Sequence, residues 1–290
     1  MTEACTNGID TGFVALGYAK VAVLGVVQGI TELLPISSTA HMRIVPALLG
    51  WQDPGSAFSA AMQLAALAAV VSYFWSDVSE LATGSLRAVT HGDFGNRHFL
   101  FSVWIVLATI PIGLMGLALS STLNACGSPL RTLTVIGWAS IVMAFLLALA
   151  EIYSRHKRTL ENVTLVDAMI VGIAQIGALI PGVSRSGSTL TAALALGLKR
   201  AAAARFSFLL GLPAIALAGA REVWELYKAH LSFDGWLILL VGLVVASTSA
   251  FVAIWGLMRV LERFSAWPFV VYRGALGVAL ISSVALGRLT

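Results

Sequence analysis

The sequence predicts an all-α polytopic membrane protein, built as an inverted repeat. Each half holds one re-entrant helical hairpin plus three transmembrane helices. Three observations point there. Of 290 residues, 58% are hydrophobic and only 11% charged, where a soluble domain carries about 25% charge. The apolar residues fall in blocks close to the ~20 needed to cross a bilayer core. Two short polar islands interrupt the apolar chain at matching places in its two halves.

Taken in order, the first apolar stretch runs from Phe13 to Leu34, carries Lys20 early, and breaks at Pro35. The first island follows, Ile36-Ser37-Ser38-Thr39-Ala40-His41-Met42-Arg43. Residues 44–49 are apolar but short, and Trp51-Gln52-Asp53-Pro54-Gly55 reads as a turn. A helix–break–helix hairpin fits these arms better than a full crossing. Spans are expected at 56–75, 99–120 and 132–150, with 76–98 as a solvated polar loop. The charged segment 151–164 links the repeat halves, 13–150 and 165–287, of a single membrane domain. In the second half, 165–198 is broken at Pro181-Gly182, and spans follow at 205–221, 235–258 and 267–287.

The halves share local wording. Gly25-Val26-Val27-Gln28 leads to Pro35 and a serine cluster, and Gly172-Ile173-Ala174-Gln175 leads to Pro181 and another. Phe58-Ser59 follows the first cluster much as Phe206-Ser207 follows the second. An odd number of crossings per half inverts the second copy, which brings broken helices together near the midplane. The loops expected on one side hold ten Lys/Arg against six on the other. The positive-inside rule places the richer side in the cytoplasm and both termini outside. The net charge of +4 then concerns orientation and anionic lipid head groups, not nucleic acid. Cys5 and Cys126 form neither a disulfide framework nor a metal motif and read as incidental thiols.

The second island, Pro181-Gly182-Val183-Ser184-Arg185-Ser186-Gly187-Ser188-Thr189, has the makings of an anion site. A helix restarting there points free N–H groups at the break, beside a guanidinium fork and the hydroxyls of Ser184, Ser186 and Thr189. Glu32 is the one carboxylate deep in an apolar stretch, where a charge is costly and usually functional. Gln28, one turn earlier, shares its face, and the two offer oxygen ligands to a hard cation such as Mg²⁺ or Ca²⁺, with phosphates and water completing the shell. Ser38 and His41 also share a face. They read as a nucleophile with its base, or as a histidine nucleophile or general acid; the competing role for Ser37, Ser38 and Thr39 is to cap a helix. Arg273, in the last span, either lines the cavity or snorkels. A meeting of Glu32 and Arg185 at the midplane would assemble the parts needed for phosphoryl transfer, or else a salt bridge that only joins the hairpins.

Three motifs carry a resemblance. Gln28-x-x-x-Glu32, Pro35-x-Ser37-Ser38-Thr39-x-His41 and Pro181-Gly182-x-Ser184-Arg185-Ser186-x-x-Thr189 together resemble the undecaprenyl-diphosphate phosphatase family, which is linked to bacitracin resistance. The resemblance extends to Phe58 with Gln63, to Phe206-Ser207-Phe208, and to Pro268-Phe269 with Tyr272-Arg273. It implies hydrolysis of undecaprenyl diphosphate to undecaprenyl phosphate and inorganic phosphate at the periplasmic side of the bacterial plasma membrane, recycling the carrier for cell-wall synthesis. It implies six spans with two re-entrant hairpins, and a divalent cation. Glu32, Ser38, His41 and Arg185 are the implied catalytic residues. Ser37, Thr39, Ser184, Ser186, Thr189 and Arg273 would bind phosphate, and Gln28 with Glu32 the metal. Many family members have Glu where this chain has Gln28; the amide keeps a carbonyl oxygen but loses a charge, which shifts the load to Glu32. The implied partners are the polyprenyl diphosphate and membrane lipids; a homodimer stays open. A transporter or flippase of polyprenyl phosphate lipids is the competing function, since inverted repeats with broken helices are also transporter architecture.

Overall fold

The computed structural model describes residues 5–6, 9–119, 130 and 132–287; Cys126 lies outside them. A two-residue antiparallel pair, β1 (Cys5–Thr6) with β2 (Ile9–Asp10), precedes an otherwise helical fold. Six of the described helices are long and apolar enough to cross a membrane.

The first hairpin is α1 (Phe13–Leu33) and α2 (Ser38–Leu49). Gly17, at φ 70°, kinks α1, so its straight part is about 24 Å long at 1.5 Å per residue. Leu34 is extended at ψ 143°, as a residue before proline is expected to be, and Pro35 stops the helix. Ser37 restarts it by accepting the Ala40 amide. The second hairpin repeats the plan. A capping box of Thr164 and Asp167 opens α8 (Leu165–Gln175), a 3-10 turn carries the chain to the Pro181 break, and Ser184 caps α9 (Arg185–Ala195) by accepting the Gly187 amide at 3.2 Å. Ser37 and Ser184 both have positive φ, 72° and 71°. Two non-glycine residues held there, one at each break, mark sites where packing over-determines the backbone.

Between and after the hairpins lie α3 (Ser56–Ala61), α4 (Gln63–Tyr73), α5 (Trp75–His91), α6 (Arg97–Ala118), α7 (Leu133–Tyr153), α10 (Arg200–Lys228), α11 (Phe233–Arg263) and α12 (Trp267–Ala285). The expected spans at 99–120, 132–150, 205–221, 235–258 and 267–287 appear as α6, α7, α10, α11 and α12. Two expectations are corrected. The span at 56–75 is divided at Met62, and α1, placed in the hairpin, is the sixth helix long enough to cross. The segment 76–98 is not a loop; most of it is α5, bent by 84° from the helix before it. Val78, Leu81, Gly84, Ser85 and Ala88 form a covered stripe along α5, at helical spacing, while Glu80, Arg87 and Thr90 face out. The polar face set the average and hid the period.

α1 lies along α11, α8 along α6, α7 along α12 and α4 along α10. Matching glycines permit the close approaches. A Cβ on Gly25 would sit 2.9 Å from the Gly242 carbonyl oxygen, and one on Gly172 would strike Ala108. The largest core cluster, which includes Phe74, Phe101, Phe206 and Phe208, joins elements of both halves.

Candidate active site

The two breaks meet at Glu32. It lies in the last turn of α1, is 7% exposed, and is reached from both hairpins. Arg185, first residue of α9, donates from Nη2 to Oε1 at 3.0 Å. Ser38, first residue of α2, donates to Oε2 at 2.5 Å, and Gln28 Nε2 donates to the same oxygen at 2.9 Å. One carboxylate thus gathers a guanidinium, a hydroxyl and an amide. Being first in their helices, Ser38 and Arg185 bring two helix N-termini to the same place. The amides of Ser38, Thr39, Arg185 and Ser186 make no hydrogen bond among the described residues, so two sets of N–H donors remain for an anion.

Glycine at position 211 leaves the guanidinium its place: a Cβ there would strike Arg185 Nη1, which would have to shift. Thr189 donates to the Arg185 carbonyl at 2.8 Å and touches Ser207, which fixes the start of α9 against α10. Ser186 donates toward the Glu32 and Leu34 carbonyls at 3.2 and 3.1 Å, sewing one break to the other. The hydroxyls of Ser186 and Thr189, expected on phosphate, are therefore spent on the backbone. Ser37 uses its oxygen as helix cap and keeps a proton to donate; Ser184 also caps, and its proton goes to the Ser186 hydroxyl at 3.2 Å; Thr39 is half-buried, with no side-chain hydrogen bond among the described residues.

Arg273 neither snorkels nor faces a cavity. It is 1% exposed and gives Nη1 to Pro35 O at 2.9 Å, and Nη2 to Gly182 O at 2.8 Å and Val183 O at 2.9 Å. These carbonyls lost their helical partners at the two breaks, and one guanidinium satisfies all three. Hydrogen bonds to a charged group are each worth ~1.5–3 kcal/mol. Replacement of Arg273 by glutamine is expected to destabilise the protein by at least ~3 kcal/mol, read as a lowered thermal midpoint in detergent. Unchanged stability would remove Arg273 from the role of brace.

Ser38 and His41, expected as a pair, are not bonded to each other. Ser38 turns back over the break to Glu32, while His41, one turn on, points to α12. His41 Nδ1 lies 2.7 Å from the Ser37 carbonyl oxygen and Nε2 lies 2.6 Å from the Tyr272 hydroxyl. A carbonyl only accepts, so Nδ1 carries the proton, and the Nε2 lone pair receives the Tyr272 O–H.

The family model described as "Bacitracin resistance protein BacA" matches residues 21–279. The chain belongs to this family. Among similar proteins, "Undecaprenyl-diphosphatase 2" of Mesorhizobium japonicum is 75% identical over 262 residues, 90% of this chain and 99% of that protein. "Undecaprenyl-diphosphatase" of Gloeobacter violaceus is 50% identical over 274 residues, 94% of each chain. The protein of the same name from Trichormus variabilis is 44% identical over 288 residues, 99% of this chain and 90% of that one.

For a BacA-family chain the implied cation can be set against the donors present. No group of three or more His, Cys, Asp or Glu side chains that could hold a metal occurs among the described residues. Gln28 Oε1, however, is buried without a partner, beside Glu32. An unpaired buried oxygen is costly, and a hard cation seeks such an oxygen. A cation here would take Gln28 Oε1 and Glu32 from the protein, and substrate oxygens would have to complete its shell. Sequence reasoning assigned no role to Gly211 or to Tyr272. Gly211 left no signal without the third dimension. Tyr272 was visible only as the neighbour of Arg273 in the last motif.

Proposed function

We propose that this chain hydrolyses undecaprenyl diphosphate to undecaprenyl phosphate and inorganic phosphate, recycling the lipid carrier for cell-wall synthesis from a multi-pass position in the bacterial plasma membrane. The single observation that carries the chemistry is the Ser38 hydroxyl, 2.5 Å from a carboxylate that Arg185 holds at 3.0 Å. A nucleophile with its base in hydrogen-bond reach, and the base oriented by a third group, is the pattern of covalent catalysis. The names of its relatives agree.

In the first step, Ser38 Oγ bonds to the terminal phosphorus and gives its proton to Glu32. The bond from phosphorus to the bridging oxygen breaks, and undecaprenyl phosphate leaves with the electron pair. Arg185 and the amides at the starts of α2 and α9 face the transferring oxygens, where preorganised donors act most strongly. In the second step, a water oxygen bonds to phosphorus, the Oγ–phosphorus bond breaks, and Oγ recovers its proton from Glu32. The water gives up one proton, for which His41 is the final base. Gln28 and Glu32 would hold a divalent cation, and when bound it neutralises charge on the phosphates. The more basic set of loops suggests a site open to the periplasm and both termini outside. A flippase needs a cradle for the phosphate, but no carboxylate placed to take a serine proton.

The test is phosphate release from undecaprenyl diphosphate in detergent, with and without EDTA, for wild type and Glu32→Ala. Release that EDTA abolishes and the variant lacks is expected. Release indifferent to EDTA would remove the cation and keep the enzyme. No release from the wild type would overturn the phosphatase and leave the carrier.

A further inference from the structure

The His41 imidazole cannot touch a reacting water directly. It is 9% exposed, and both its nitrogens are taken, Nδ1 by the Ser37 carbonyl and Nε2 by Tyr272. Tyr272 is 43% exposed. Its ring lies nearly parallel to the imidazole, 11° between planes and 5.7 Å between centroids. The neighbouring Arg273 fixes this turn of α12 to both breaks through Pro35, Gly182 and Val183. The tyrosine hydroxyl is thus the group that holds the lone pair of a buried base, on a residue that is itself partly exposed.

We infer that Tyr272 is a catalytic residue, through which a proton passes between the attacking water and His41. This rests on the two-step reading above. As the water oxygen bonds to phosphorus, one water proton moves to Tyr272 Oη, and the proton already on Oη moves to His41 Nε2. The water loses one proton and the imidazole gains one; the phenol ends as it began. A hydroxyl suits this task because it donates with one proton and accepts with its lone pairs at once. The relay belongs to the second step only. Ser38 gives its proton to Glu32, so formation of the phosphoserine does not need Tyr272.

The experiment is rapid-quench kinetics on undecaprenyl diphosphate with wild type, Tyr272→Phe, His41→Ala and the double variant. Both product release and protein-bound phosphate are followed. Tyr272→Phe keeps the ring against His41 and removes the hydroxyl, and with it the bond to Nε2. The expected result is a stoichiometric burst of undecaprenyl phosphate and accumulated phosphoserine. Steady-state turnover should be at least tenfold slower at an unchanged first-step rate. Adding Tyr272→Phe to His41→Ala should cost less than twofold more. A Tyr272→Phe enzyme with wild-type turnover would overturn the relay while leaving the phosphatase intact. So would equal slowing of the burst and of turnover, or full additivity in the double variant. Tyr272→Trp, which also lacks the hydroxyl, guards against poor folding of the phenylalanine variant and should show the same burst. A wild type that releases no phosphate overturns the function itself, and the relay with it.

Discussion

Arg185→Ala is expected to lower kcat/KM for phosphate release by about a thousandfold, within the range seen when a charge-stabilising donor or arginine is removed from a phosphoryl-transfer site. Two effects add. The developing charge on the transferring oxygens loses its fork. Glu32 loses the guanidinium at 3.0 Å and becomes an unpaired buried charge, which costs ~3–5 kcal/mol. The second effect can be separated from the first. Arg185→Ala combined with Glu32→Gln should recover much of the thermal stability in detergent and none of the activity. Arg185→Lys should keep the pair in part, but a point charge does not replace a planar fork, and activity should stay at least tenfold below wild type. An Arg185→Ala enzyme within threefold of wild type would sink the proposed site.

The meeting of Glu32 with Arg185 was legible in the sequence because both are charges that an apolar chain has no reason to hold unless they serve or satisfy each other. The spans were legible for the same reason: bilayer thickness imposes a length on every crossing, and the blocks show it. What the sequence could not give is how each polar group spends its hydrogen bonds. Ser186, Thr189 and Arg273 carry the same donors as Arg185 and Thr39, yet a broken helix leaves carbonyls that must be satisfied inside the membrane. Pro35, Gly182 and Val183 take the Arg273 guanidinium, and Glu32, Leu34 and Arg185 take the hydroxyls. Every break in a buried helix creates this demand, so a polar island is always part structure and part site. Composition cannot divide it. The error over 76–98 has a different origin. α5 is polar on one face, and a segment average reports the face with more charge rather than the spacing of Val78, Leu81 and Ala88.

The same accounting makes Ser38 the residue to remove. Of the island hydroxyls, it alone donates to a carboxylate, and it does so from the first position of α2, where its amide is free. Ser38→Ala should reduce turnover by about 10⁶-fold, the scale on which enzymes lose activity when the nucleophile of a coupled set is deleted. Stability should change by less than ~1 kcal/mol, because Ser37 and not Ser38 caps the helix. Labelled phosphate should be recovered on wild-type protein after acid quench and be absent from the variant. The outcome decides among serine, water and histidine as the attacking group. If Ser38→Ala keeps a tenth of wild-type turnover and no variant traps phosphate, water attacks the diphosphate directly, with Glu32 rather than a serine ester at the centre of the reaction. If the variant traps phosphate at His41, the imidazole must first leave Tyr272, and the 2.6 Å bond between them becomes a lock on the resting enzyme rather than a path for protons.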